Sequence, residues 1–285
     1  MSGQEAPAMD SNTSLAKCIV HTDASKYLYR AAPHQGAGTM EYAALLDAEG
    51  LDSNLIFLHR GVIHPQSGIG AHFHNRCEEM FVILDGEAQF TIDGRTALLK
   101  GPAGAPCRLG HSHGIFNHTD KPVQWLNINV GLTKTYDAFD LGDSRADAPI
   151  DPRPTFMSMR LDSTLLKPVQ DFNGGSGTVQ YRRVFEPSVF NTVWSYIDHV
   201  LLPPGTVAGA NHQQADMSEV HYVLAGSGVV ILAGDAAETS IHKWDAVPLR
   251  LGQGGFVKNT GDETLELMVI GVARSHDAKE AYITQ

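Results

Sequence analysis

Residues 72–86 read HFHNRCEEMFVILDG. Two histidines one residue apart lead to a carboxylate at Glu79, then to an apolar run that ends on Asp85-Gly86. On a strand, residues i and i+2 point to the same side, so His72 and His74 aim into one interior. A turn after His74 and a returning strand bring Glu79 beside them. A third imidazole, His113, arrives from another strand pair. Three neutral imidazole nitrogens with one carboxylate oxygen suit a borderline divalent transition metal. On an octahedral ion, four protein ligands leave two positions open for water or substrate. We therefore read His72, His74, Glu79 and His113 as metal ligands. His21, His34, His59, His118 and His276 lack such spacing and are read as ordinary core or surface histidines.

The same stretch recurs. Residues 212–226, HQQADMSEVHYVLAG, repeat it at an offset of 140. GTMEY at 38–42 returns as GTVQY at 177–181, an offset of 139. PCRLGHSHGIFNHTDKPVQWLNINV at 106–130 returns as PLRLGQGGFVKNTGDETLELMVIGV at 248–272, an offset of 142. Three matches in one order with a drift of three residues mark a tandem duplication. The join falls near DSRADAPIDPRP at 143–154, a poor helix and a poor strand. Each unit alternates short β-branched and aromatic runs, such as QFTI at 89–92 and GVVILAG at 228–234, with turn signals such as Asp93-Gly94. The pattern predicts an all-β chain of two small barrels or sandwiches. The repeat also separates Glu79 from its neighbour: the second unit keeps Glu219 at the matching place, whereas Glu78 becomes Ser218.

These residues resemble the cupin superfamily, whose first motif has the form G-x5-H-x-H-x3,4-E-x6-G. His72, His74, Glu79 and Gly86 fit its ligand and turn positions, with Gln66 in place of the leading glycine. Gly110, His113 and Asn117 match the second motif, in which Arg108 replaces the inner glycine. The resemblance covers nearly the whole chain. It implies a bicupin, two tandem jelly-roll β-barrels: an N-terminal extension over 1–35, a metal-bearing barrel over 36–145, and a second barrel over 146–285. Carrying the ligand positions into the second unit gives His212, Gln214, Glu219 and Gly255, so that site is degenerate. One divalent metal per chain is expected (iron, manganese, zinc or nickel), with the second barrel structural. Dimers of chains are common among bicupins, so a homodimer is the expected assembly.

Composition narrows the rest. The 285 residues are 42% hydrophobic and 19% charged, enough for sizeable cores. Thirty-two acidic against 21 basic side chains give a net charge of −11, which argues against nucleic acid or an anionic membrane as partner. Cys18, Cys77 and Cys107 are too few for a disulfide framework or a thiolate zinc site. No stretch approaches the roughly 20 apolar residues of a membrane span. The first seventeen residues carry Gln4, Glu5 and Asp10 and no apolar h-region. A soluble, cytoplasmic protein with a small-molecule substrate is expected.

Further polar groups are candidates for the chemistry. Arg60, in LIFLHRGVI, either holds a carboxylate or phosphate in the pocket or lies on the surface beside His59. His111, replaced by Gln253 in the second unit, is either an acid–base group or a loop donor. Arg60 and His111 are the catalytic candidates. Asn127 and Asn129 alternate with Leu126, Ile128 and Val130, and one set faces the barrel. The second unit has Val269 and Gly271 where the asparagines stand. The 72–86 stretch looks most similar to small sugar-active cupins. A metal-dependent isomerase or lyase acting on a keto-sugar, uronate or sugar acid is therefore the leading expectation. An iron- or manganese-dependent dioxygenase or decarboxylase and a non-catalytic ligand-binding bicupin are the alternatives.

Overall fold

The computed structural model describes residues 18–210, 215–233 and 237–284. Short strands dominate it, as the alternating pattern requires. The one α-helix among the described residues, His276–Ile283, closes the chain; Ser275 caps it by accepting the Ala278 amide.

Four sheets form two barrels. In the first barrel a seven-stranded sheet faces a six-stranded one; in the second a six-stranded sheet faces a four-stranded one. Corresponding strands occupy corresponding places. Leu55–Ile63 pairs with Val123–Gly131, which pairs with Cys77–Ile83. In the second barrel Trp194–Leu202 pairs with Leu265–Ala273, which pairs with Met217–Ala225. The duplication read in the sequence is thus a duplication of topology.

The 145/146 boundary is not where the barrels part. Ile150–Asp151 runs parallel to Arg95–Lys100, and Met159–Arg160 pairs with Ala103–Cys107, so the connecting segment adds a strand to each sheet of the first barrel. At the other end Val20 bridges to Ala246 of the second barrel. Each barrel is closed partly by chain from outside its own repeat, which covers strand edges that would otherwise stay unpaired.

The large sheets of the two barrels meet back to back. Leu58, Met80, Val82, Leu126, Ile128 and Val130 leave the first barrel's interior. They join Val220, Tyr222, Met268 and Ile270 in one apolar cluster that spans both units. A separate cluster, including Met40, Ile69, Phe81, Phe90, Ile115 and Trp125, fills the first barrel. Strand alternation does this sorting: even-numbered residues of 126–130 go to the interface, and Asn127 and Asn129 go inside.

Candidate metal centre

The site is assembled across the first barrel. His72 and His74 end strand Ser67–His74, and His113 lies on the neighbouring strand His111–Asn117, directly opposite His72. An extra residue between Ile69 and His72 breaks the register just before the pair. Glu79 comes from the facing sheet, on Cys77–Ile83, and stands opposite Asn129. All four side chains are buried.

The structure brings the four expected ligands together. His113 Nε2 is 3.0 Å from His72 Nε2 and 3.1 Å from His74 Nε2. Glu79 Oε2 is 3.5 Å from His74 Nε2, and Oε1 is 3.8 Å from His113 Nε2. All four ligand atoms lie within 4.8 Å of one another. Donors about 2.1 Å from a shared ion and at right angles to each other stand about 3.0 Å apart, so the spacing fits a divalent metal.

Protonation chemistry points the same way. His72 Nδ1 lies 2.8 Å from the Gly70 carbonyl and His74 Nδ1 lies 2.7 Å from the Asp137 carbonyl. Carbonyls only accept, so both rings carry their proton on Nδ1 and turn an Nε2 lone pair inward. His113 Nε2 can donate to one of them at most. A cation resolves the remaining opposition of lone pairs. Burial holds the His72 pKa down to about 3, helped by His34 and His74, and burial likewise holds His113 well below its ordinary range. Neutral imidazole is the form that ligates metal.

The two asparagines settle which set faces inward. Asn127 Nδ2 donates to Glu79 Oε1 and Asn129 Nδ2 to Glu79 Oε2, both at 2.6 Å. The amides fix both carboxylate oxygens, as the surroundings of a ligating carboxylate are expected to do.

Above the cluster opens a cavity of about 500 Å³, walled by Met40, Tyr42, Phe57, His59, Trp125 and Tyr136, with Arg30 and His34 also lining it. His59 stacks on Phe57 with ring centroids 4.0 Å apart, and burial lowers its pKa to about 4. His34 stacks on His72 at 3.9 Å, and its Nδ1 lies 2.6 Å from Asp140. Both histidines, read from the sequence as ordinary, belong to the site. A signal for His34 existed: the 139-residue offset of its block places Asn173 at the matching position, and both occupy the same short left-handed turn. His59 gave none, because LIFLHRGVI is apolar on both faces.

Arg60 and His111 lie elsewhere. The strand turns Arg60 outward, fully buried between the barrels. Its guanidinium lies 4.5 Å from the Trp244 ring centroid and donates to the Gly61 carbonyl and the Gln124 side chain. The pocket-anion role expected of it falls away because an intervening sheet separates it from the cavity. His111 opens its strand with Nδ1 2.5 Å from Asp93 Oδ2, partly exposed, and does not line the cavity. Its acid–base role falls away for the same reason; it ties down a loop.

In the second barrel His212 and Gln214 lie outside the described residues. Gly255 offers no side chain, and Glu219 is engaged otherwise: Tyr196 donates its hydroxyl to Oε1 at 2.6 Å, and His221 Nε2 lies 2.9 Å from Oε2. Tyr196 lies above Gly271, the counterpart of Asn129; a Cβ there would stand 2.2 Å from the ring. A tyrosine from one strand has taken over the carboxylate that an asparagine from another holds in the first barrel. The remaining cavity, about 280 Å³, contains Arg183 paired with a buried Asp198 whose pKa burial raises to about 7.

Comparison with known proteins agrees with this architecture. The Cupin domain model matches residues 59–129. The oxalate-binding protein of Thermotoga maritima is 31% identical over 99 residues, 34% of this chain and 80% of that protein. The chain belongs to the cupin superfamily, as a bicupin. Among solved structures it is similar to Lactobacillus farciminis oxalate decarboxylase in its formate complex (TM-score 0.61, 16% identity, 90% of this chain and 86% of that one). It is also similar to Bacillus subtilis oxalate decarboxylase (TM-score 0.59, 16% identity, 90% and 76%), and to AerE from Microcystis aeruginosa (TM-score 0.53, 14% identity, 82% and 91%).

Proposed function

We propose that the chain is a metal-dependent lyase that breaks a carbon–carbon bond beside a carboxylate, with its chemistry confined to the N-terminal barrel. The observation that carries this reading is the convergence of three inward imidazole nitrogens on an asparagine-clamped carboxylate, Glu79, that also lines the cavity. A divalent ion there, for which we favour manganese, would supply a Lewis acid for a carboxylate or carbonyl oxygen.

The chain's own residues do the rest. Asn127 and Asn129 keep Glu79 aimed at its ligand position. The largely aromatic walls lower the polarity around the reacting end, which strengthens charge interactions there. Neutral His59 faces the cavity as a hydrogen-bonding base. Tyr136 presents its phenol at the same wall, with its ring centroid 5.6 Å from that of His74. These two groups are placed to hold the proton that must replace departing carbon dioxide. The fold shared with oxalate decarboxylases supports the reading.

The oxalate-binding relative favours a second reading, ligand capture without turnover. Carbon dioxide release and oxygen uptake, followed on a panel of organic acids with manganese-loaded and chelator-stripped protein, separate the possibilities. The lyase reading expects metal-dependent carbon dioxide without stoichiometric oxygen uptake, lost in His72→Ala. Stoichiometric oxygen uptake would make it a dioxygenase. Interconversion of a keto-sugar or uronate without carbon dioxide would make it an isomerase. Ligands that raise the melting temperature but are never consumed would establish capture.

A further inference from the structure

We infer that the N-terminal cavity takes an aromatic acid bearing a hydroxyl or keto oxygen, not a bare dicarboxylate such as oxalate. The inference builds on the proposed lyase site and names its substrate class.

Size is the first argument. The cavity's roughly 500 Å³ falls within the range of about 300–1,000 Å³ typical of sites that enclose drug-sized organic ligands. A molecule as small as oxalate, bound at the metal end, would leave most of it empty.

Wall chemistry is the second. Tyr42, Phe57 and Trp125 present aromatic surface, and the His59 imidazole, parallel to Phe57 within 7°, extends that surface as a neutral plate. Tyr42 meets Trp125 edge-on, with centroids 6.4 Å apart and planes at 83°. Such walls favour a flat ring through stacked and edge contacts. Between the metal-ligand cluster and Arg30 these walls offer no cation to a second carboxylate close to the first.

The polar ends of the cavity are the third. At one end Glu79 marks the metal-ligand cluster, where a hydroxyl or keto oxygen suits a Lewis-acidic cation. Arg30, an exposed permanent cation on the edge strand Leu28–Ala31, lines the same cavity and suits the acid's carboxylate.

Calorimetry and tryptophan fluorescence on the full-length, manganese-loaded chain test this, with phenylpyruvate, 3,4-dihydroxyphenylacetate and oxalate as probes. An aromatic acid is expected to bind at least tenfold tighter than oxalate and to quench fluorescence. Trp125→Leu is expected to weaken it about tenfold. Arg30→Gln, at an exposed position that spares the core, is expected to weaken phenylpyruvate several-fold without changing its methyl ester. Oxalate binding as tightly as either aromatic acid, or an aromatic affinity untouched by both substitutions, would overturn the inference. The two layers fail separately. Turnover of oxalate with no aromatic binding sinks the substrate class and keeps the lyase. Tight aromatic binding without turnover of any acid keeps the class and sinks the lyase.

Discussion

Two adjacent carboxylates carry the clearest residue-scale lesson. Glu78 and Glu79 are consecutive on one strand, so their side chains leave on opposite faces. Glu79 enters the barrel and joins the histidines. Glu78 goes to the other barrel, where it accepts from the Asn191 and Thr192 amides at 2.9 and 2.8 Å and from the Thr192 hydroxyl at 2.7 Å. The sequence distinguished them through the spacing of Glu79 to Gly86 and through Ser218 in the second copy, and it offered no hint that Glu78 has a task. Asn127 and Asn129 were legible as a pair, but their direction was not, since strand alternation says which residues share a face and not which face is inside. Asn129→Ala should release one Glu79 oxygen and lower metal affinity about 10–100-fold, the usual effect of removing a partner behind a ligand. Metal titration of the stripped protein checks this; unchanged affinity would mean that the amide does not position Glu79.

At the scale of the element, the strand Leu55–Ile63 explains why the catalytic candidate Arg60 had to be revised and why His59 was missed. Phe57 and His59 face the cavity, while Leu58 and Arg60 face the second barrel. Because that outer face is itself buried, polarity along the strand does not alternate, and the sequence offers no basis for choosing. Arg60→Ala should destabilise the fold by about 3 kcal/mol, through a lost cation–π contact and charged hydrogen bonds. Activity per folded molecule should persist. Denaturant unfolding alongside steady-state assays would expose the error if activity fell and stability held. The matching strand of the second barrel carries Tyr196 above Gly271. Gly271→Ala would press a methyl into the ring and should cost about 1–3 kcal/mol as overpacking. A thermal shift near zero would mean that the ring moves aside freely.

For the whole molecule, barrel stability and metal binding are expected to be separable. The apolar clusters hold the fold without the ligands, so His113→Ala should lose the ion, read by elemental analysis, and keep its β-sheet signal in circular dichroism. Collapse of that signal would make the ion a structural element. Acid should act on the metal-free chain through its buried histidines. His59 and His72 titrate near 6.5 when unfolded but only near 4 and 3 when folded, and His113 also sits far below 6.5. Between these limits the unfolded chain binds more protons, so stability is full above about pH 6.5 and falls as pH drops toward 4. Asp198, raised to about 7, works in the opposite sense, but it is one group against three. Melting temperatures from pH 7.5 to 4 should decline, and less steeply in His59→Phe; a flat profile would contradict the neutral burial of these rings.

The sequence by itself determined the duplication, the β architecture and the residues that share the histidine–glutamate cluster. All three rest on spacing, and strand geometry converts spacing into direction with a period of two. It could not determine which face of a two-sided buried strand lies inside a barrel. Nor could it foresee that residues 150–160 finish the first barrel's sheets while Val20 joins the second. Those are outcomes of packing one barrel against another. When both faces of a sheet are covered, hydrophobicity stops marking the interior, and only the assembled structure decides that Arg60 faces the neighbouring barrel and His59 the cavity.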